Sequence, residues 1–197
     1  MIGARKEREG NCTRPTLPRA ADPGPTTSPP GRPFAGTAAA YAQSMAKTLY
    51  TAEATVTGGR ANGHGVTSDG ALDVQLRAPV EMGGEGGGTN PEQLFAVGYA
   101  ACFEGALAVA ARREKVDVGD VSIVSRVLLG PTEDRGFGIA AELDVTLPQI
   151  DDPEQALRIV EAAHKVCPYS NATRGNIDVR LTANGREVTP AAVDQPE

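Results

Sequence analysis

The stretch TNPEQLFAVGYAACFEGALAVAARREK, residues 89–115, decides what kind of fold this chain can form. Asn90-Pro91-Glu92-Gln93 has the marks of a helix start. An asparagine can cap the first free N–H groups, proline stands at the first helical position, and Gln93 occupies the capping-box position. The helix is predicted to run to about Lys115. From Leu94 to Ala111 it is apolar nearly all round, with Glu104 its only charge, so it has no polar face to turn to water. Gly98 and Gly105 cost about 1 kcal/mol each in helix propensity and are expected where another backbone comes close. A helix buried on most sides needs more cover than one small sheet supplies, which points to a second subunit.

Strand patterns flank this helix. Tyr50, Ala52, Ala54 and Val56 alternate with Thr51, Glu53, Thr55 and Thr57, the period of a half-buried strand. Gly58-Gly59 reads as a hairpin turn, Val66 and Ser68 as a second strand, and Leu72, Val74 and Leu76 as a third after Asp69-Gly70. EMGGEGGGTN, residues 81–90, is a glycine-rich loop without the lysine of a phosphate cradle. Beyond the helix, Val121, Ile123, Val127 and Leu129 predict one strand, and Ile139, Ala141, Leu143, Val145 and Leu147 the next. Asp151-Asp152-Pro153-Glu154 opens a second helix whose apolar stripe is Ala156, Leu157, Ile159, Val160, Ala163 and Val166. Pro168 is expected to end it, and Ile177, Val179 and Leu181 to form the last strand. Strands and helices do not alternate as βαβα, so the fold class is α+β.

The chain has 197 residues, room for one well-buried domain, and a net charge of −6 that argues against a nucleic-acid partner. No apolar run is expected to reach the roughly 18 residues of a membrane span, so no membrane partner is expected. Residues 1–44 differ from the rest. They hold about half of the prolines and six Arg/Lys against three Asp/Glu, without apolar periodicity. They are expected to be a disordered extension, with Met45 an alternative start, residues 45–186 the domain and 187–197 a loose tail. The early charges are not followed by the apolar core of a signal peptide, so a cytoplasmic location is expected. Three cysteines in a reducing compartment point to catalysis or sensing rather than to a disulfide scaffold. Cys12 lies in the leader and is given no role.

Position alone leaves the other two thiols open. Cys102 stands twelve residues beyond the helix cap, about 18 Å along, out of reach of the helix dipole. In apolar surroundings it would be an inert small hydrophobe unless a cation came to it, for which Arg60 is the candidate. Cys167 sits at a predicted helix end against Pro168, where the chain can move and a thiolate is disfavoured. That suits a second nucleophile or a cysteine of no consequence equally. His64, in a glycine-rich turn, and His164 fit no zinc spacing, and no metal site is expected. A serine hydrolase lacks its G-x-S-x-G elbow.

Taken together, GGR (residues 58–60), TNPEQLFAVGYAACFEGAL (89–107) and HKVCPYSNATRGNIDV (164–179) resemble the organic hydroperoxide resistance proteins of the OsmC/Ohr superfamily. The resemblance extends from about Met45 to Leu181. It implies an OsmC/Ohr-like fold of antiparallel curved sheets around two central helices, in an intertwined homodimer. It implies a thiol-dependent peroxidase that reduces organic, fatty-acid-type hydroperoxides. Cys102 falls on the peroxidatic cysteine, Cys167 on the resolving one, and Arg60 and Glu92 on the pair that activates the thiolate. No cofactor is implied to be bound; the implied reductant is a dihydrolipoyl group on a lipoylated protein. Leu94, Phe95 and Phe103 are candidates for an acyl pocket, although core packing is the better account of most of them. A redox sensor without turnover and a hydrophobic-ligand-binding module on the same fold are the competing readings.

Glu92 and Cys102 are ten residues apart on one predicted helix, about 15 Å if it is straight. They cannot then both touch one arginine. Either the helix bends between them, or each site takes groups from two subunits.

Overall fold

The computed structural model of the chain describes residues 47–189. The leader at 1–44, Cys12 within it, the alternative start at Met45 and residues 190–197 of the tail lie outside the described residues.

Residues 47–53 carry no regular secondary structure, and β1 is Ala54–Thr57. The expected strand is therefore shortened at its start. Its partner β2 (Gly63–Thr67) pairs Thr67 with Ala54, adds one bond from the Ser68 N–H to the Glu53 carbonyl at 2.9 Å, and then turns away through residues 68–72, so the ladder stops there. That turn is built as the sequence predicts. Asp69 accepts hydrogen bonds from the Thr67 hydroxyl at 2.6 Å and the Ala71 N–H at 3.0 Å, and these hold its carboxyl below the usual range. β3 (Asp73–Arg77) completes a three-stranded antiparallel sheet in the order β1-β2-β3. β1 is exposed on both faces rather than half-buried.

Between β1 and β2 the Gly58-Gly59 turn opens into a one-turn helix, α1 (Gly59–Asn62). Gly58 holds φ at +73°, and a Cβ on Gly63 would lie 2.0 Å from the Gly59 carbonyl oxygen. Glycine is required at both ends of this loop, and Arg60 is carried on it.

The long helix α2 (Pro91–Glu114) is unbroken. Asn90 Oδ1 accepts from the Gln93 N–H at 2.9 Å. The reciprocal half of the capping box is not made, because Gln93 Oε1 accepts from the Thr89 hydroxyl instead, at 3.0 Å. With a mean hydropathy of 1.7 over 18 residues, α2 is long and apolar enough to cross a membrane, contrary to expectation. Here it serves as the core helix, burying Tyr99, Phe103, Ala106, Leu107, Ala110 and Ala111.

That core is closed by a four-stranded sheet and a second helix. β4 (Ser122–Pro131) and β5 (Phe137–Thr146) form a ten-residue antiparallel hairpin. The chain then passes through α3 (Pro153–Val166) and α4 (Pro168–Thr173) to β6 (Val179–Ala183). β6 pairs with β5 in parallel, which corrects the expectation of purely antiparallel sheets. A parallel neighbour needs a crossover connection, and the two helices supply it. β7 (Arg186–Glu187) pairs with β6 and Val188 is buried, so the boundary expected at residue 187 falls inside the sheet. Leu143, Val145 and Leu147 meet Ile159, Val160 and Leu181 against α2. The fold is α+β, as the element pattern predicts.

Candidate active site

Pro168 does not simply end α3; it begins α4, with Cys167 as the corner between them. The Cys167 N–H donates to the Ala163 carbonyl and its own carbonyl accepts from the Asn171 N–H, both at 2.9 Å. Its side chain is 0% exposed. The expected mobile helix end is thus a fixed corner, held by the last bond of one helix and the first of the next. Cys102 comes from the middle of α2 and is partly exposed. Its Sγ accepts from the Cys167 thiol at a sulfur–sulfur distance of 3.6 Å, and both thiols are free. α2 and α3 pack across the core, and 65 residues of sequence separation close to van der Waals contact.

The surroundings of Cys102 act mainly against its thiolate. Burial pushes the thiol up, and the neighbouring Cys167 adds to that; the backbone of Tyr169 acts the other way. The depression expected from Arg60 is absent within one chain, because Arg60 is engaged elsewhere. One guanidinium nitrogen of Arg60 donates to both oxygens of Glu92, at 2.9 and 2.8 Å. Arg60 is 44% exposed and Glu92 18%. The predicted pair forms, and the predicted pair of thiols forms, but as two separate pairs of side chains. α2 runs without interruption from Glu92 to Cys102, so a break in the helix does not reconcile them.

Beside Glu92 lies a cavity of about 510 Å³ walled by Ala96, Val127, Leu129, Pro131 and Phe137. None of the three expected pocket residues lines it. Phe103 is fully buried in the core, and Phe95 stacks with Tyr99 and Tyr169, ring centres 5.8 Å apart. Leu94 is half-buried near the helix start. Gly98 receives the Tyr169 ring rather than a backbone, and Gly105 meets nothing within 4 Å.

Sequence reasoning missed a buried hydroxyl cluster. Tyr99 Oη lies 3.0 Å from Ser170 Oγ and 3.3 Å from Thr173 Oγ1. Ser170 and Thr173, three apart on α4, share a face; that spacing was the available signal. His64 lies in β2 rather than in a turn, paired with Asp73 at 2.7 Å. His164 is buried on α3, with Nδ1 unpartnered. Among the described residues, no group of three His, Cys, Asp or Glu side chains could hold a metal ion.

Two free thiols in contact on packed helices over a mixed sheet make this a dithiol α+β protein. The chain belongs to the OsmC-like protein family, whose model matches residues 83–182, and within it to the organic hydroperoxide resistance proteins. It is 57% identical over 138 residues to the organic hydroperoxide resistance protein of Xanthomonas axonopodis pv. citri (strain 306), across 69% of this chain and 95% of that one. The crystal structure of an organic hydroperoxide resistance protein from Legionella pneumophila matches with a TM-score of 0.65 and 50% identity, over 68% of this chain and 97% of that one. That of OhrB from Bacillus subtilis matches with a TM-score of 0.62 and 47% identity, over 68% and 98%.

Proposed function

We propose that this chain is a thiol peroxidase that reduces organic, fatty-acid-type hydroperoxides to alcohols. The observation that carries the reading is the 3.6 Å contact between a partly exposed Cys102 and a fully buried Cys167. The exposed thiol is open to a substrate, and the buried one is spared from it but sits ready for the product.

As a thiolate, Cys102 attacks the terminal oxygen of ROOH. The O–O bond breaks, RO⁻ leaves and takes a proton, and Cys102 becomes a sulfenic acid. The Cys167 sulfur then attacks the Cys102 sulfur, water leaves, and a disulfide forms. A dithiol of the dihydrolipoyl kind, carried on a lipoylated protein, reduces that disulfide by exchange and is itself oxidised to a disulfide. Both thiols must be regained reduced, which fits a cytoplasmic location.

The active species in this reading is a homodimer with composite sites, in which the Arg60–Glu92 pair of one copy serves Cys102 of the other. Three features support it. The two half-sites are about 15 Å apart along one unbroken helix. Val97, an apolar side chain on that helix between Glu92 and Cys102, is 71% exposed. β4 is a ten-residue edge strand whose outer face shows Val124 and Leu128, the kind of edge that needs a cover. The cavity beside Glu92 would take the apolar tail of the substrate.

The deciding experiment is consumption of cumene hydroperoxide with dihydrolipoamide, thioredoxin or glutathione as the electron source. Steady turnover with dihydrolipoamide is expected. A single stoichiometric oxidation of the cysteines, with every reductant, would sink the enzymatic reading in favour of a sensor.

A further inference from the structure

We propose that Arg174 is a positioning residue for Cys167: its guanidinium gives the His164 carbonyl the hydrogen bond that Pro168 cannot, and so fixes the corner that carries the second thiol. The proposal rests on Cys167 being the thiol that resolves the Cys102 sulfenic acid.

In a continuing α-helix the N–H of residue 168 would donate to the carbonyl of His164, four residues back. Residue 168 is proline, which has no N–H and whose ring crowds that carbonyl. The preceding donor does not step in, because the Cys167 N–H is committed to the Ala163 carbonyl at 2.9 Å. His164 is buried, and a carbonyl left unpaired there costs free energy. Arg174 Nη2 donates to it at 2.9 Å.

This bond spans ten residues and closes a ring of contacts around the corner. Arg174 caps α4, its own N–H donating to the Ser170 carbonyl at 3.0 Å. Its Nη1 donates to Asn171 Oδ1 at 2.9 Å, and the Asn171 N–H donates to the Cys167 carbonyl at 2.9 Å. Both acceptors of the guanidinium are neutral oxygens, one on each helix. A planar fork can hold two of them at a fixed angle, which an ammonium cannot. The far end of α4 is thus tied to the last turn of α3, with Cys167 at the vertex, 3.6 Å from the Cys102 sulfur. Disulfide formation tolerates a narrow range of Cα separations, so a corner that opens carries Cys167 away from its partner.

The test is the equilibrium of the full chain with mixtures of reduced and oxidised glutathione, the thiols being trapped by alkylation and located by peptide mass spectrometry. Glutathione disulfide oxidises Cys102 and Cys167 to one disulfide and is itself reduced to two glutathione molecules. In Arg174→Ala the equilibrium constant for that disulfide is expected to fall about tenfold, because the two thiols lose effective concentration. Val145→Ala, a core change on β5, is expected to lower Tm and leave the constant in place. In a Pro168→Ala chain, where residue 168 regains its N–H, Arg174→Ala is expected to lower Tm by less than in the wild-type background. A folded Arg174→Ala protein with the wild-type constant would overturn the proposal. So would Val145→Ala lowering the constant equally, or an equal loss of Tm in both backgrounds. If Arg174→Ala does not fold, Arg174→Gln makes the same comparison. A wild-type chain that forms the disulfide without peroxide turnover would overturn the proposed function alone, since the glutathione equilibrium reads the two thiols directly.

Discussion

A single nitrogen of Arg60 donates to both carboxylate oxygens of Glu92, tying the loop of the first hairpin to the first turn of α2. Ten residues further along that helix, Cys102 faces Cys167 instead. If two copies complete each other, two inactive variants should repair one another. Cys102→Ser and Arg60→Ala, each inactive alone, are expected to regain about a quarter of wild-type activity when refolded as an equal mixture. Random pairing makes half the dimers mixed, each with one intact site of two. No recovery on mixing would place the whole site within one chain.

Arginine and lysine should not be interchangeable at position 60. One guanidinium can hold Glu92 and still present further N–H donors to a thiolate, whereas an ammonium is a compact point charge. Arg60→Lys is expected to slow oxidation of Cys102 by cumene hydroperoxide at neutral pH by at least about tenfold, and Arg60→Ala by more. Stopped-flow rates equal to wild type would remove Arg60 from the chemistry.

Cys167→Ser separates the two oxidation steps. The first equivalent of peroxide is still expected to react, since Cys102 remains partly exposed. With nothing to capture the sulfenic acid, excess peroxide should carry Cys102 to the sulfinic acid, visible by intact mass. Recycling by dihydrolipoamide should be lost. A variant that resists over-oxidation as the wild type does would argue against the resolving role.

Gly63→Ala probes the Arg60 loop without touching Arg60. The new Cβ would fall 2.0 Å from the Gly59 carbonyl oxygen and 2.6 Å from that of Thr57, both backbone atoms. The loop must shift, at a cost on the order of 2 kcal/mol. Activity is expected to fall as for an Arg60 variant, while alkylation of Cys102 in unfolded chains stays normal. Full activity in a folded Gly63→Ala protein would mean that the loop geometry is unimportant.

His164 should make the fold sensitive to acid. Burial first, and the Arg174 charge second, hold its pKa below the ordinary histidine value, with Glu161 opposing them. The folded state therefore prefers the neutral ring. This contribution is present above the unfolded histidine pKa and is lost as pH falls through the lower, folded one. His164→Leu is expected to flatten that part of a urea-stability curve; an unchanged slope would show that His164 does not titrate with folding.

Elements with strong local signals were legible in the sequence. α2 announced its start through Asn90 and Pro91, and β5 its inward residues Ala141, Leu143 and Val145 through alternation. The Cys102–Cys167 and Arg60–Glu92 pairings came from family resemblance, because partners 65 and 32 residues apart leave no trace in periodicity. The start of β1 was misjudged because alternation says what a strand would bury, not whether a partner reaches it. Tyr99 was hidden for a different reason. In an apolar helix it reads as core, and only the fold brings Ser170 and Thr173 to its hydroxyl.

The corner at Cys167 has a kinetic consequence. With its N–H and carbonyl both committed to neighbouring helices, the residue has little backbone freedom to lose when the two sulfurs join. Bond formation draws on side-chain rotation across a short gap rather than on a search by a loose segment. The disulfide step should therefore carry a small activation entropy, the thermal signature of two reactants that have already met.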